Sequence, residues 1–197
     1  MFKICSSLVL IFAASLVQAE IAGPIRVIDG DTFAVGEVRV RLHGIDTPEA
    51  DQRCGGNGVP AWHCGQWVST EGRRRYQGKR AVCERIETDR YGREVARCLV
   101  GGEDVGRALV RDGLAFAYRE YSMAYDLDEK GAVVQGVGLH GSGAERPSLF
   151  RSTLRAGQAA ANLAEAPTGC TIKGNISAQG ERIYHPPGQE HYEKTRI

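Results

Sequence analysis

After residue 20 this 197-residue chain has no apolar run suited to crossing a bilayer, and its charges nearly cancel, with 25 Lys and Arg against 24 Asp and Glu. The first absence leaves no later membrane helix. The second removes the basic surplus that normally accompanies a strong nonspecific grip on nucleic acid. No internal repeat is evident, so nothing points to a solenoid or a propeller. The length suffices for one domain with a real core and an appendage.

The amino terminus reads as a targeting segment. Lys3 precedes the apolar run Ile4 to Leu16, and Val17-Gln18-Ala19 offers small residues for signal peptidase before Glu20. Residues 1–19 are therefore expected to be a signal peptide, with a retained anchor as the alternative, and the rest to be exported as a secreted or periplasmic protein. Removing the segment takes away Lys3 and no acid, so basic and acidic residues then balance.

Export gives the remaining cysteines a compartment that permits disulfides. A hairpin centred between Arg90 and Tyr91 sets Cys83 directly opposite Cys98, close enough to bridge. Cys54 and Cys64 then close a local Gly-rich loop. His63 beside Cys64 raises zinc as the alternative, but too few ligands converge there. Cys170 is left over, as a free thiol or an intermolecular link.

Strands are expected over Ile25–Ile28, Thr32–Val35 and Val38–Leu42; in the last, Val38, Val40 and Leu42 alternate with Arg39 and Arg41. That alternation puts Arg41 on the polar face. Pro60 to about Tyr76 reads as a helix with proline at its start and Gly78 beyond its end. Arg73-Arg74-Arg75 with Lys79 and Arg80 is the nearest approach to a basic patch, and reads first as a solvated helix end. A hairpin follows, Ala81–Ile86 with Glu94–Val100. Asp104 suits the N-cap of a helix over Val105–Asp112 stopped by Gly113, and Ser122 suits the cap of a third helix whose end Gly131 and Gly136 break up. The order predicts an α+β fold, a five-stranded barrel with about three helices. Residues 20–143 form that domain, 144–169 a linker with a helical stretch at Leu149–Leu163, and 170–197 a small C-terminal β appendage. His185, His191, Tyr184 and Tyr192 in the appendage read as ordinary packing.

Three segments carry the chemistry: Ile28-Asp29-Gly30-Asp31-Thr32, Arg41 through Glu49, and Asp89-Arg90-Tyr91-Gly92-Arg93. Each alone is ordinary turn chemistry. Together, each beside an expected strand end, they assemble what phosphodiester hydrolysis requires. Asp31, Asp46 and the Thr47 carbonyl offer hard oxygen ligands to a cation such as calcium. Arg41 and Arg93 present planar forks to phosphate oxygens. Glu49 is placed to act on water as general base.

With Ala108-Leu109-Val110-Arg111-Asp112-Gly113-Leu114-Ala115 beyond, these motifs make the chain resemble the thermonuclease (staphylococcal-nuclease-like) family over roughly residues 22–140. The resemblance implies an OB-fold barrel and calcium-dependent endonucleolytic cleavage of DNA and RNA to 3′-phosphorylated products. It implies Ca2+ at Asp31, Asp46 and the Thr47 carbonyl, with Arg41, Glu49 and Arg93 catalytic and Arg90, Tyr91, Tyr118 and Tyr121 facing the nucleotide. A monomer without stable membrane association is expected. The loop after Glu49 carries Cys54 and Cys64 rather than a lysine-rich stretch, and Gly138-Leu139-His140 stands where many relatives have Gly-Leu-Trp. The overall layout also resembles nuclease-like proteins of rhizobial exopolysaccharide (succinoglycan) clusters, implying as an alternative an accessory or binding role with that machinery.

Overall fold

The structure is a computed structural model and describes residues 20–56, 58–165, 169–177 and 180–195. The expected signal peptide lies outside the described residues. Strand β1 (Ile21–Val27) buries every second residue, as period-2 patterning requires of a half-buried strand. It pairs antiparallel with β2 (Thr32–Val35), which pairs in turn with β3 (Val38–Leu42). On its other edge β1 pairs with β4 (Arg80–Thr88), and β4 with β5 (Glu94–Val100). A parallel pairing of β3 with β5, Val40 opposite Glu94 and Leu42 opposite Ala96, closes the five strands into a mixed barrel. Closure removes the free edges that an open sheet would expose, and this is the OB-fold class expected.

Phe33, Val40, Leu42, Ile45, Val68, Leu109 and Leu114 fill the core at 0–2% exposure, each burial contributing roughly 1.5–3 kcal/mol. Helix α1 (Cys64–Tyr76) covers one end through Val68 and Tyr76. Helix α2 (Val105–Arg111) is capped by Asp104, whose carboxylate accepts from the Arg107 N–H at 3.1 Å. Helix α3 (Asp126–Gln135) ends at Gly136 in the left-handed conformation. Helix α4 runs over Pro147–Glu165, and β6 (Lys173–Ile176) pairs with β7 (Arg182–His185) as a C-terminal hairpin.

Three local expectations need correcting. Pro60 does not start α1. Residues Val59–Trp62 instead form a short strand against Cys54–Gly56, and the helix begins only at Cys64. The Cys54–Cys64 disulfide ties that ribbon to the helix start, and the fixed φ of proline suits an edge strand as well as a first helical turn. Ser122 does not cap α3; its hydroxyl accepts from the Ala124 N–H in the preceding turn, and the helix starts four residues further on, at Asp126. Gly131 lies inside α3 rather than ending it.

The β4–β5 hairpin opposes Cys83 to Cys98, and the two are disulfide-bonded. A register shift between Arg85 and Glu87 adds one residue to β4, so the tip is a longer loop, Asp89 to Arg93, than a turn centred between Arg90 and Tyr91. Cys170 is exposed and unbridged.

His140 takes the place of the tryptophan that the resemblance suggests. Its ring packs edge-on against Phe116 at 5.1 Å and its Nε2 is buried without a partner. Burial, with Arg146 adding to it against the pull of Glu129, holds the His140 pKa below the ordinary histidine value. Unfolded chains therefore take up this proton more readily, so stability is full above the ordinary value of about 6.5 and falls as pH drops below it. We expect His140→Phe to reduce the loss of melting temperature between pH 7 and pH 5. An unchanged loss would remove His140 as its source.

Candidate active site

The pairing of β2 with β3 opposes Thr32 to Arg41, which brings the Asp29–Asp31 turn beside the Arg41 side chain. The turn is shaped by Asp29, whose carboxylate accepts from the Asp31 N–H at 3.1 Å. A two-residue bridge opposes Asp46 to Phe116 and Ile45 to Ala117, and Tyr118 follows opposite Gly44, its N–H donating to the Gly44 carbonyl at 2.9 Å. Close approach joins the first two loops: a Cβ at Gly30 would stand 2.5 Å from Thr47 Oγ1 and 2.8 Å from Val68 Cγ1. Only glycine lets the turn at Asp31 pack this tightly against Thr47.

Asp31, Asp46 and Thr47 are buried at 3–5% exposure. Arg41 bridges the two carboxylates, Nη1 to Asp31 Oδ1 at 3.1 Å and Nη2 to Asp46 Oδ1 at 3.5 Å. Burial pushes the Asp31 carboxyl up to about 7 against the pull of Arg41, with Asp29 and Asp46 raising it further. Two buried carboxylates with a backbone carbonyl next in sequence form an all-oxygen donor set suited to a hard cation. Among the described residues no group of three or more His, Cys, Asp or Glu side chains is arranged as metal ligands. Any ion here would therefore draw on the carboxylate pair, the carbonyl and water.

Above these residues opens a cleft of about 1060 Å³ lined by Arg41, Glu49, Asp89, Arg90, Tyr91, Arg93, Tyr118, Tyr121 and Arg151. All the residues expected to be catalytic or to face nucleotide thus share one cavity, with the expected ligands Asp31 and Asp46 joined to it through Arg41. Arg93 is held at the hairpin tip by Asp89, its Nε at 2.8 Å and Nη2 at 2.7 Å from Oδ2. Burial raises the Asp89 pKa, but hydrogen bonds from the Arg93 backbone and side chain outweigh it and hold the carboxylate ionised. The Arg90 and Arg93 guanidinium carbons lie 4.9 and 5.5 Å from the centre of the Tyr91 ring. Tyr118 and Tyr121 pack edge-to-face at 4.7 Å, and Tyr91 and Tyr121 are largely exposed, as aromatics available to stacking would be.

Glu49 is positioned by a residue that the motifs do not reveal. Gln52 is fully buried, accepts from the Glu49 N–H at 3.2 Å and donates to the Glu145 carbonyl at 2.9 Å. One side chain thus fixes both the Glu49 turn and the approach to α4. Gly65 in the first turn of α1 lies under the same turn, where a Cβ would fall 1.7 Å from the Glu49 carbonyl oxygen.

A further functional residue went unseen in the sequence. From α4, Arg151 reaches Asp46 with both terminal nitrogens, at 3.1 Å to Oδ1 and 2.9 Å to Oδ2, and Glu49 Oε1 at 2.8 Å. Burial works against its charge, but the bonds to Asp46 and Glu49 prevail and hold it protonated. An isolated arginine on a small-residue helix gives no local signal. Only the count of cleft carboxylates against Arg41 could have hinted at a second guanidinium.

A smaller cavity of about 660 Å³ on the far side of β4 and β5 is lined by Arg85, Arg97, Arg107 and Arg111. Each is already engaged: Arg85 by Glu94, Arg97 by Asp104, Arg107 by Asp128 and Arg111 by Glu103.

Comparison with known proteins gives a match of residues 39–137 to a family model described as staphylococcal nuclease homologue. The succinoglycan biosynthesis protein ExoI of Rhizobium meliloti (strain 1021) is 36% identical over 97 residues, covering 48% of this chain and 51% of that protein. Protein ParB of Escherichia coli is 33% identical over 140 residues, 64% of this chain and 73% of its own length. The thermonuclease of Staphylococcus hyicus is 33% identical over 112 residues, 54% of this chain and 63% of its length. The chain thus spans about half of the succinoglycan protein. Arg151 falls outside residues 39–137, the segment that the family model matches.

Proposed function

Because this chain belongs to the staphylococcal nuclease homologue family, we propose that it is an exported, calcium-dependent phosphodiesterase that cleaves DNA and RNA within the chain to 3′-phosphorylated products. The observation that carries this reading is the shared cleft in which Arg41, Glu49 and Arg93 stand over buried Asp31 and Asp46. When bound at Asp31, Asp46 and the Thr47 carbonyl, calcium supplies Lewis-acid charge at the phosphoryl oxygen and orients water. Arg41 and Arg93 stabilise the charge that builds on the phosphoryl oxygens. Glu49 takes the proton of the attacking water. Arg90 and Tyr91 hold the adjoining phosphate, while Tyr118 and Tyr121 offer ring faces to a base. Export is supported by the amino-terminal targeting pattern and by two disulfides, and no helix among the described residues is long and apolar enough to cross a membrane. The active form is proposed to be a monomer.

The test is incubation of purified residues 20–197 with DNA and with RNA, in calcium or in chelator. Cleavage in calcium, its loss in chelator and 3′-phosphate ends on the products are expected. Intact DNA and RNA after incubation of the folded protein with calcium would overturn the reading.

Similarity to the succinoglycan biosynthesis protein favours a second reading, an accessory or binding role with exopolysaccharide machinery. A barrel of this class binds oligosaccharides as well as oligonucleotides. Calorimetric titration with succinoglycan separates the two, and absence of heat with and without calcium counts against this second role.

A further inference from the structure

We infer that Arg151, held by Asp46 and Glu49, is a built-in occupant of the cation position at Asp46, so that α4 keeps the site closed at rest and must release Asp46 before a divalent cation binds there. This rests on the proposed calcium-dependent function and adds a residue and a regulatory contact to it.

The first argument is oxygen occupancy. Arg151 lays its fork on both carboxylate oxygens of Asp46, and Arg41 takes a second bond to Oδ1. Oδ1 thereby uses both of its lone pairs. An ion held at about 2.3–2.6 Å, the usual calcium–oxygen distance, has to displace at least one guanidinium contact. Arg41 touches only Oδ1, whereas Arg151 also holds Oδ2 at 2.9 Å, so an ion that takes Oδ2 has to displace Arg151.

The second argument is charge. When Asp31, Asp46 and Glu49 are all ionised, as a bound cation favours, they bring three negative charges, and Arg41 and Arg151 answer with two positive ones. A divalent cation in place of Arg151 makes the group neutral, whereas both together leave it positive. Asp46 is nearly fully buried, with 4% side-chain exposure, so such an imbalance is costly. Arg151 also spans Asp46 and Glu49, tying up the carboxylate that the reaction needs as a base.

The third argument is that release costs little packing. Helix α4 is anchored at its start: Gln52 holds the Glu145 carbonyl and Arg146 pairs with Glu129 at 2.7 Å. Beyond Arg151, residues 152–158 are exposed, and Leu149 and Leu154 are themselves 55% and 53% exposed. Freeing Arg151 therefore uncovers little apolar surface.

The test measures calcium binding by calorimetry on the wild-type chain, Arg151→Gln and Arg155→Gln, the last removing the same charge one exposed turn later. If the closed form makes up about nine-tenths of the resting population, its removal tightens the apparent affinity about tenfold. We expect Arg151→Gln to bind calcium about tenfold tighter or more, and Arg155→Gln to stay within about twofold of wild type. Amide exchange provides a second readout: calcium should accelerate exchange along α4 in the wild type and change nothing in Arg151→Gln. Equal or weaker calcium binding by Arg151→Gln overturns the inference and leaves the proposed function standing. Absence of calcium binding in all three chains overturns both. If Arg151→Gln does not melt cooperatively, Arg151→Lys replaces it, keeping the charge without the fork. An affinity between wild type and tenfold tighter is then expected, and an unchanged one overturns the inference.

Discussion

Replacing Arg93 by Ala should slow cleavage of nucleic acid by roughly a hundred- to a thousandfold while leaving the melting temperature near that of the wild type. The size follows from losing one preorganised donor to a developing oxyanion, worth about 2.7–4 kcal/mol in a water-poor site. The tolerance of the fold follows from position. Arg93 sits at the hairpin tip, and its partner Asp89 keeps the Tyr91 and Arg93 backbone N–H bonds after the side chain is gone. Arg93→Lys should fall between, because an ammonium keeps the charge but cannot match two phosphate oxygens at once. Turnover measured on proteins with matched melting curves decides the matter. Wild-type turnover in a folded Arg93→Ala chain would remove Arg93 from the catalytic set.

Gly65→Ala should be the most damaging of the conservative changes. The added methyl would lie 1.7 Å from the Glu49 carbonyl oxygen and 2.7 Å from its carbon, so backbone meets backbone and no side chain can swing aside. Either α1 backs away from the barrel or the Glu49 turn moves. The expected loss is roughly 2–4 kcal/mol, in the upper range for overpacking. That corresponds to a fall in melting temperature of roughly 5–15 °C for a chain of this size. Turnover measured well below the melting range should drop too, since Glu49 is displaced. Gly157→Ala is the control: nothing lies within 4 Å of its added methyl in α4, and alanine should stabilise the exposed helix by up to about 1 kcal/mol. Equal melting of Gly65→Ala and wild type would show that α1 does not rest on the Glu49 turn.

The strands were legible where short apolar or alternating runs end at turn residues: Thr32–Val35, Val38–Leu42 and Glu94–Val100 have the expected bounds. The candidate site was legible where its residues are concentrated in short motifs, at Asp31, Arg41 to Glu49 and Asp89 to Arg93, which converge on one cleft and the carboxylates beneath it. Other features were hidden for identifiable reasons. Pro60 fits both a helix start and an edge strand, and only the pairing of Cys54 with Trp62 decides between them. Gln52 and Gly65 act through backbone contacts that no residue pattern advertises. Arg151 reaches residues more than a hundred positions away from a segment that composition marks merely as a small-residue helix, so only folding reveals its partners.

The parallel closure between Val40–Leu42 and Glu94–Ala96 has a consequence for when the molecule becomes competent. Parallel neighbours cannot be joined by a tight turn, so this join waits for the intervening polypeptide to fold. Until then Arg41 and Arg93 belong to separate pieces with no common pocket. A chain emerging amino-end first therefore carries no assembled cleft while its leading half is made. Pulling that one join apart would disarm the molecule before most of its ladders had been broken.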